Sequence, residues 1–326
     1  MYSTDTVNQK VNELSSDFYY DVLDGLTQSP KRLSSKYFYD AKGDALFQAI
    51  MNAPEYYLTR CEMEIFIRQS AKMVDSLKPG KSDFELIELG PGNCAKSIHL
   101  LLALQDAEVL FHYIPIDISS NVISTLDDLL PAKLPHLQFE GRIGDYFDQL
   151  ALLETDPVKR RVVMCLGGNI GNMTMEESSR FCQNLRGYLN PGDQCIIGFD
   201  LIKHPNIIRQ AYDDKNGLTR AFNLNLLHRI NKELKADFQL DQFEHYCSYD
   251  PVDGAAKSYL VSLKEAVIHL SGAEISLDKD ECIWTEISQK YSRKQIHQMA
   301  VSNGFVPAAE FLDSKSWFMD AIWTAV

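Results

Sequence analysis

FELIELGPGNCAKS, residues 84–97, is the stretch that decides the fold. Phe84 to Leu89 is a short apolar run broken by acids. It ends in Gly90-Pro91-Gly92, and Ala95 to Ala103 then reads as a helix. A buried strand that turns through glycines into a helix is a nucleotide cradle. Glycine lets the backbone approach the ligand, and the first N–H groups of the helix lie beside it. Two cofactor classes fit, because Gly90, Gly92 and Ala95 also satisfy the G-x-G-x-x-G/A dinucleotide fingerprint.

Outward from this stretch, strands and helices alternate. Further strands are predicted over 109–116, 137–143, 161–166 and 194–199, with helices between them. Thr59-Arg60-Cys61-Glu62 and Thr174-Met175-Glu176-Glu177 have the spacing of capping boxes. Alternation of this kind implies an α/β fold, a doubly wound and mostly parallel sheet with helices on both faces. Ligands then bind beyond the carboxyl ends of the strands, which here are Gly90, Asp117, Asp145, Gly167 and Asp200.

The alternation lapses after Asp200. Leu218, Phe222, Leu226, Ile230 and Leu234 mark a long amphipathic helix, and 246–270 and 275–288 read as strands with turns at Asp253-Gly254 and Ser271-Gly272. Ser292 and Gln295 cap a last helix ending at Gly304, before a terminal strand over 317–326. The first 60 residues begin with a helical pattern from Val11 to Leu26 and are rich in tyrosine, which serves for packing or for lining a pocket. The expected organisation is a core of 62–200 plus 291–326 and a discontinuous α+β substrate-binding domain of 1–61 plus 201–290.

Composition narrows the function. The 326 residues include 45 acidic and 32 basic ones, a net charge of −13 that repels nucleic acid. Seven cysteines are scattered without a C-x-x-C pair, which argues for reduced thiols and against a metal cluster. No apolar run is long enough for a membrane span, and the first ten residues have no hydrophobic signal core. A soluble cytoplasmic protein, monomeric and without metal, is expected.

Strand-end chemistry separates the cofactors. Asp117 can take both hydroxyls of a ribose in either class. Asp145 can bind an adenine amino group while Tyr146 covers the ring, or it can simply cap the next helix. Glu88 adds an acid at the mouth of the first strand. Acids at three successive strand ends suit a donor with an adenosine, an ammonium and a sulfonium, and suit a pyrophosphate poorly. S-adenosylmethionine is therefore expected, with an NAD(P)-dependent oxidoreductase as the second reading.

KYFYDAKGDALF at 36–47, followed by PEYYLTR at 54–60, resembles the N-terminal signature of the L-histidine Nα-methyltransferases of ergothioneine synthesis. The likeness continues through ELGPGN, PIDIS, GDYF, LGGNIGN, AYDD, ADFQLDQFEH and TEIS, in order and over nearly the whole chain. It implies a Rossmann-like class I methyltransferase core, a separate substrate domain, and transfer of three methyl groups to the histidine α-amine. Carried over, Tyr56, Asn172 and Tyr212 match the carboxylate clamp, with Asn172 also against the amine and Tyr39 reaching it through water. Glu286 and Ser288 match the pair that holds the imidazole nitrogens. Gly90, Lys96, Asp117, Asp145 and Tyr146 fall on cofactor positions, beside Gly92 and Ser119, while Phe47 and Gly167 pack around the reacting centre.

Two departures touch substrate contacts. Gly168-Asn169 stands where the family has Ser-Thr, which makes Asn169 a candidate contact, and Ser258 stands at the position of a pocket methionine. Another aromatic amino acid or a histidine derivative is the rival substrate. Relatives that methylate tryptophan derivatives lack the acid at the position of Glu286. No general base is evident, since His204, His228 and His245 are candidates by type alone; water is expected to take the proton.

Overall fold

The computed structural model describes residues 17–77, 84–153 and 159–326. The start of the expected N-terminal helix and the Pro79-Gly80 stop lie outside them; the helix is described over 17–27. In chain order the strands are β1 (Phe84–Leu89), β2 (Phe111–Asp117), β3 (Gln138–Phe139), β4 (Arg142–Ile143), β5 (Arg160–Cys165) and β6 (Gln194–Asp200). There follow β7 (Phe243–Asp250), β8 (Ala255–Ser262), β9 (Ala266–Leu270), β10 (Ala273–Leu277), β11 (Cys282–Gln289), β12 (Phe305–Leu312) and β13 (Phe318–Ala325). The chain divides into two compact units, one of Leu58–Lys203 with Gln289–Val326, the other of the residues up to Tyr57 with His204–Ser288.

The first unit is built on one sheet in the order β12-β13-β6-β5-β1-β2-β3, with β4 also on β2. Strands β1 to β6 pair in parallel, and β13 and β12 close the edge antiparallel. The chain leaves β1 toward β2 and later returns to its other side through β5, so the strand order reverses at β1. A doubly wound sheet opens its ligand crevice at that point.

Period-two alternation divides the sheet residues between its faces. Leu89, Ile116, Cys165, Ile197 and Trp323 share a core with Phe181 and Leu185 of the helix Met175–Gly187 and with Ile296 and Met299 of the helix Arg293–Ser302. Glu88, Gly198 and Asp320 alternate to the opposite face. There the helix Leu58–Leu77 brings Glu62 so close that a Cβ at Gly198 would stand 2.6 Å from Glu62 Oε1.

Two predicted caps form and one does not. The Thr174 hydroxyl accepts from the Glu177 amide, and the Glu177 carboxylate accepts from the Thr174 amide at 2.8 Å. Ser292 and Gln295 do the same. At Thr59 the helix has already begun with Leu58, and Glu62 is buried rather than capping.

Other elements shift for local reasons. The helix after the glycine turn starts at Ser97, because Ala95 is held in a turn by the Asn93 side chain at 3.1 Å. The strand expected over 137–143 is two short ones, interrupted at Gly141. Strand β12 is not among the expected ones. Its Pro307 argues against a strand, yet β12 is an edge whose register shifts at Pro307/Ala309, where a missing N–H costs little.

The second unit has its own core, in which Phe18, Val22 and Leu26 meet Phe222, Leu226 and Ile230 of the helix Leu218–Leu234. Strands β11-β8-β7 form one sheet and β10-β9 a hairpin. The early segment joins this insertion through the backbone: Leu33 N donates to Trp284 O at 2.8 Å, and Trp284 N donates to Lys31 O at 2.9 Å. Among the described residues no helix is long and apolar enough to cross a membrane.

Gly198→Ala should destabilise the protein by about 1–3 kcal/mol, as overpacking does. The new methyl would meet both Glu62 and the Phe318 ring, 3.1 Å away. Urea unfolding followed by fluorescence measures the change.

Candidate functional site

At the carboxyl edge of the large sheet, the loop after β1 is shaped by Gly90, whose φ is +70°. A Cβ there would lie 2.5 Å from the Tyr146 hydroxyl and 3.4 Å from Asn169 Nδ2, so Tyr146 and Asn169 crowd the same turn. Gly92 faces open space. Gly167, φ +79°, lies beside Lys96 Nζ and Asn169 Oδ1. Thus Gly90, Tyr146, Asn169, Gly167 and Lys96 form one contiguous group.

Asp117 ends β2, and its Oδ1 accepts from the Ser119 amide at 2.8 Å. Ser119 in turn caps the helix Ser120–Lys133. Asp145 caps the helix Tyr146–Leu152 through Oδ1, which accepts from Phe147 N at 2.9 Å and Asp148 N at 3.4 Å. Its side chain is exposed, and among the described residues nothing bonds Oδ2. Capping and ligand binding are therefore compatible.

Glu88 departs from expectation. It is 2% exposed and accepts from the Tyr113 phenol, tying β1 to β2. Burial pushes its carboxyl above the usual range against the opposing bonds from Tyr113 and Ser97. Its carboxylate is engaged within the sheet by Tyr113 of β2. The dinucleotide fingerprint is also incomplete in space, because Ala95 precedes the helix instead of opening it.

The second unit gathers the other candidates into a run of contacts. Tyr39 packs edge-on against Phe47 with centroids 5.6 Å apart, Phe47 against Tyr56 at 6.3 Å, and Tyr56 against Tyr212 at 6.2 Å. The Tyr212 and Ser288 hydroxyls are hydrogen-bonded at 2.6 Å. Ser288 and Glu286 are two residues apart on β11 and so share a face. The charge of Glu286 acts on the Tyr39 phenol. Tyr39 leaves part of its surface open, yet its phenol is held protonated, first by the atoms crowding it and then by the charges of Glu286 and Asp44. On neighbouring β8, the buried Ser258 hydroxyl donates to Glu286 Oε2 at 3.2 Å.

Asn172 ends the 3-10 turn Asn169–Asn172 after β5 and is exposed, in the unit that holds the large sheet. The three histidines singled out by type sit in different local settings. His204 Nδ1 accepts from Asn206 N at 3.2 Å as a helix cap, and His228 is exposed on a helix. His245 Nε2 meets the Tyr212 carbonyl at 3.0 Å, which makes it the donor when neutral.

Two residues escape sequence reasoning. Phe222 lies 5.9 Å from Tyr39 and 5.8 Å from Phe47, completing the aromatic wall. In the sequence it reads only as part of an apolar helix face. Glu62 accepts from the Gly167 amide at 2.7 Å and from the Lys96 ammonium. The available signal is an acid in register with Phe66, Ser70 and Met73 on the buried stripe of a helix.

A family model described as a histidine-specific, S-adenosylmethionine-dependent methyltransferase matches residues 18–325. The chain is 35% identical over 278 residues to a histidine N-alpha-methyltransferase of Mycolicibacterium smegmatis, covering 85% of each. It is 33% identical over 273 residues to the histidine N-alpha-methyltransferase of Mycobacterium tuberculosis, covering 83% of each. With ergothioneine biosynthesis protein 1 of Neurospora crassa it shares 27% identity over 290 residues, which is 86% of this chain and 32% of that one.

Burial holds the His245 pKa below its ordinary value of 6.5, against the bond to Tyr212. The unfolded chain therefore takes up this proton first, so the contribution is full above about pH 6.5 and is lost as pH falls through the folded value. His245→Gln should flatten the decline in melting temperature across that window, measured by calorimetric scans at stepped pH.

Proposed function

The chain belongs to the family of histidine-specific, S-adenosylmethionine-dependent methyltransferases, and from that premise we propose that it methylates the α-amine of free L-histidine three times. The product would be trimethylhistidine (hercynine), the entry to ergothioneine. The observation that carries this reading is the run of contacts from Tyr39 through Phe47, Tyr56 and Tyr212 to Ser288, with Glu286 two residues from Ser288 on β11. It offers phenols for a carboxylate, and a carboxylate and a hydroxyl for two ring nitrogens.

The donor's residues fit as well. The turn at Gly90 and Gly92 keeps the backbone bare, Asp117 stands at the end of β2 for a ribose, and Asp145 with Tyr146 suits an adenine. Lys96 offers an ammonium to a carboxylate. When bound, S-adenosylmethionine supplies the electrophilic methyl group. The protein's share is to position the amine and exclude water, since an in-line displacement needs a neutral lone pair held close to its target.

A clamp of phenols is uncharged, so it fixes the amino acid without placing a cation beside the amine. Glu286 accepts from one imidazole nitrogen and Ser288 serves the other. A ligand without ring nitrogens displaces water from both groups and returns no hydrogen bond to either, a strong basis for rejection. A tryptophan derivative, with a single indole N–H, satisfies only one of them. We place the enzyme in the cytoplasm, a setting that suits seven free thiols, six of them buried.

Mass spectrometry of free histidine incubated with enzyme and donor should show products one, two and three methyl groups heavier. Tryptophan in the same assay should stay unmodified; the reverse pattern would remove histidine as substrate. Glu286→Ala should weaken histidine binding by about 2 kcal/mol or more, the worth of a charged hydrogen bond. Unchanged affinity by calorimetry would detach Glu286 from the ring nitrogens. Tyr56→Phe should raise the histidine KM more than it lowers kcat, and steady-state kinetics reads the split.

A further inference from the structure

We propose that Glu62 is a positioning residue of the donor site, holding the Lys96 ammonium and the Gly167 amide in a single geometry. This rests on the reading of Lys96 and Gly167 given above. Glu62 is 1% exposed, at the fifth position of the helix Leu58–Leu77. Its Oε1 accepts from the Gly167 amide at 2.7 Å, and its Oε2 accepts from Lys96 Nζ. A carboxylate taken so far out of water persists only when paired and hydrogen-bonded. Here its two partners are a group at the carboxyl end of β5 and a side chain from the glycine loop after β1.

The pairing changes what Lys96 can do. A free lysine has a long flexible stem and three rotatable donors. Fixed through one N–H, the ammonium keeps the others for a further acceptor and loses less freedom when that acceptor arrives. The fold makes room for this arrangement. Gly198 leaves the space that the Glu62 carboxylate fills, and a Cβ at Gly167 would stand 3.4 Å from Lys96 Nζ.

Asp320 lies on the same face of the sheet as Gly198. It is fully buried on β13, opposite Gly198 in the register with β6. Burial and then the charge of Glu62 push its carboxyl well above the usual range. Among the described residues no N–H donates to it. Glu88 faces the same side but is engaged by Tyr113. Of these three carboxyls, Glu62 is the one that bonds the ammonium.

Calorimetric titration of S-adenosylhomocysteine into the wild type, Glu62→Gln, Lys96→Met and the double variant tests this. Each single change should weaken binding about tenfold, the usual scale for a charged hydrogen bond. The double variant should be no more than about twofold weaker than the weaker single, because both changes remove the same contact. Histidine KM should change less than donor affinity in Glu62→Gln, since the lost charge is the one that holds Lys96. Additive losses, or donor affinity unchanged in Glu62→Gln, overturn the proposal while leaving the methyltransferase reading intact. A wild type that does not bind S-adenosylhomocysteine overturns both. Should Glu62→Gln not fold, Glu62→Asp replaces it in the cycle. That variant keeps the charge but is one methylene short of spanning both partners, and the same coupling is expected.

Discussion

Parallel strands share a direction, so everything that follows them leaves the sheet at one edge. That constraint orders the larger unit. The turn after β1, the aspartate ending β2, the cap after β4 and the glycine after β5 come from separate parts of the chain, yet the register of β5, β1 and β2 brings them level. Gly90 is the tightest point: its amide donates to the Ile116 carbonyl at 2.9 Å, and the Tyr146 hydroxyl occupies the space a side chain would need. With the backbone pinned in this way, the acids at the neighbouring strand ends need only short side chains to face a ligand.

The second unit is built differently. Its shape rests largely on aromatic edges packed against one another. Tyr39, Phe47 and Phe222 pack on one another at 5.6 to 5.9 Å, and Tyr56 is held between Phe47 at 6.3 Å and Tyr212 at 6.2 Å, so no ring depends on a single neighbour for its orientation. The polar end is equally interlocked, since Tyr212 bonds Ser288 through its hydroxyl and receives His245 on its carbonyl.

Periodicity makes the sheet legible in the sequence, because buried parallel strands are near-continuous apolar runs and the glycine turn is local. Strand β12 is hidden by Pro307, whose cost vanishes only at an edge, and edge position is a property of the whole sheet. Site residues divide the same way. Asp117 and Asp145 can be read from their places after strands, whereas Tyr39, Tyr212 and Glu286 are reached through family likeness, since contacts between residues so far apart in the chain leave no local pattern. Glu62 misleads for a related reason. Its spacing from Thr59 fits a cap, and only the fold reveals that Gly198 leaves room for its carboxylate.

Ser258 shows how a departure from the family can be absorbed. A methionine at this place would fill volume beside Glu286 but could not donate a hydrogen bond. The serine hydroxyl does donate, to Oε2 at 3.2 Å, and its own backbone carbonyl is fixed by Thr285 at 3.0 Å. One oxygen of the carboxylate is thereby oriented from β8, and the direction of the other follows from it. The exchange gives up apolar contact and gains alignment of the acid.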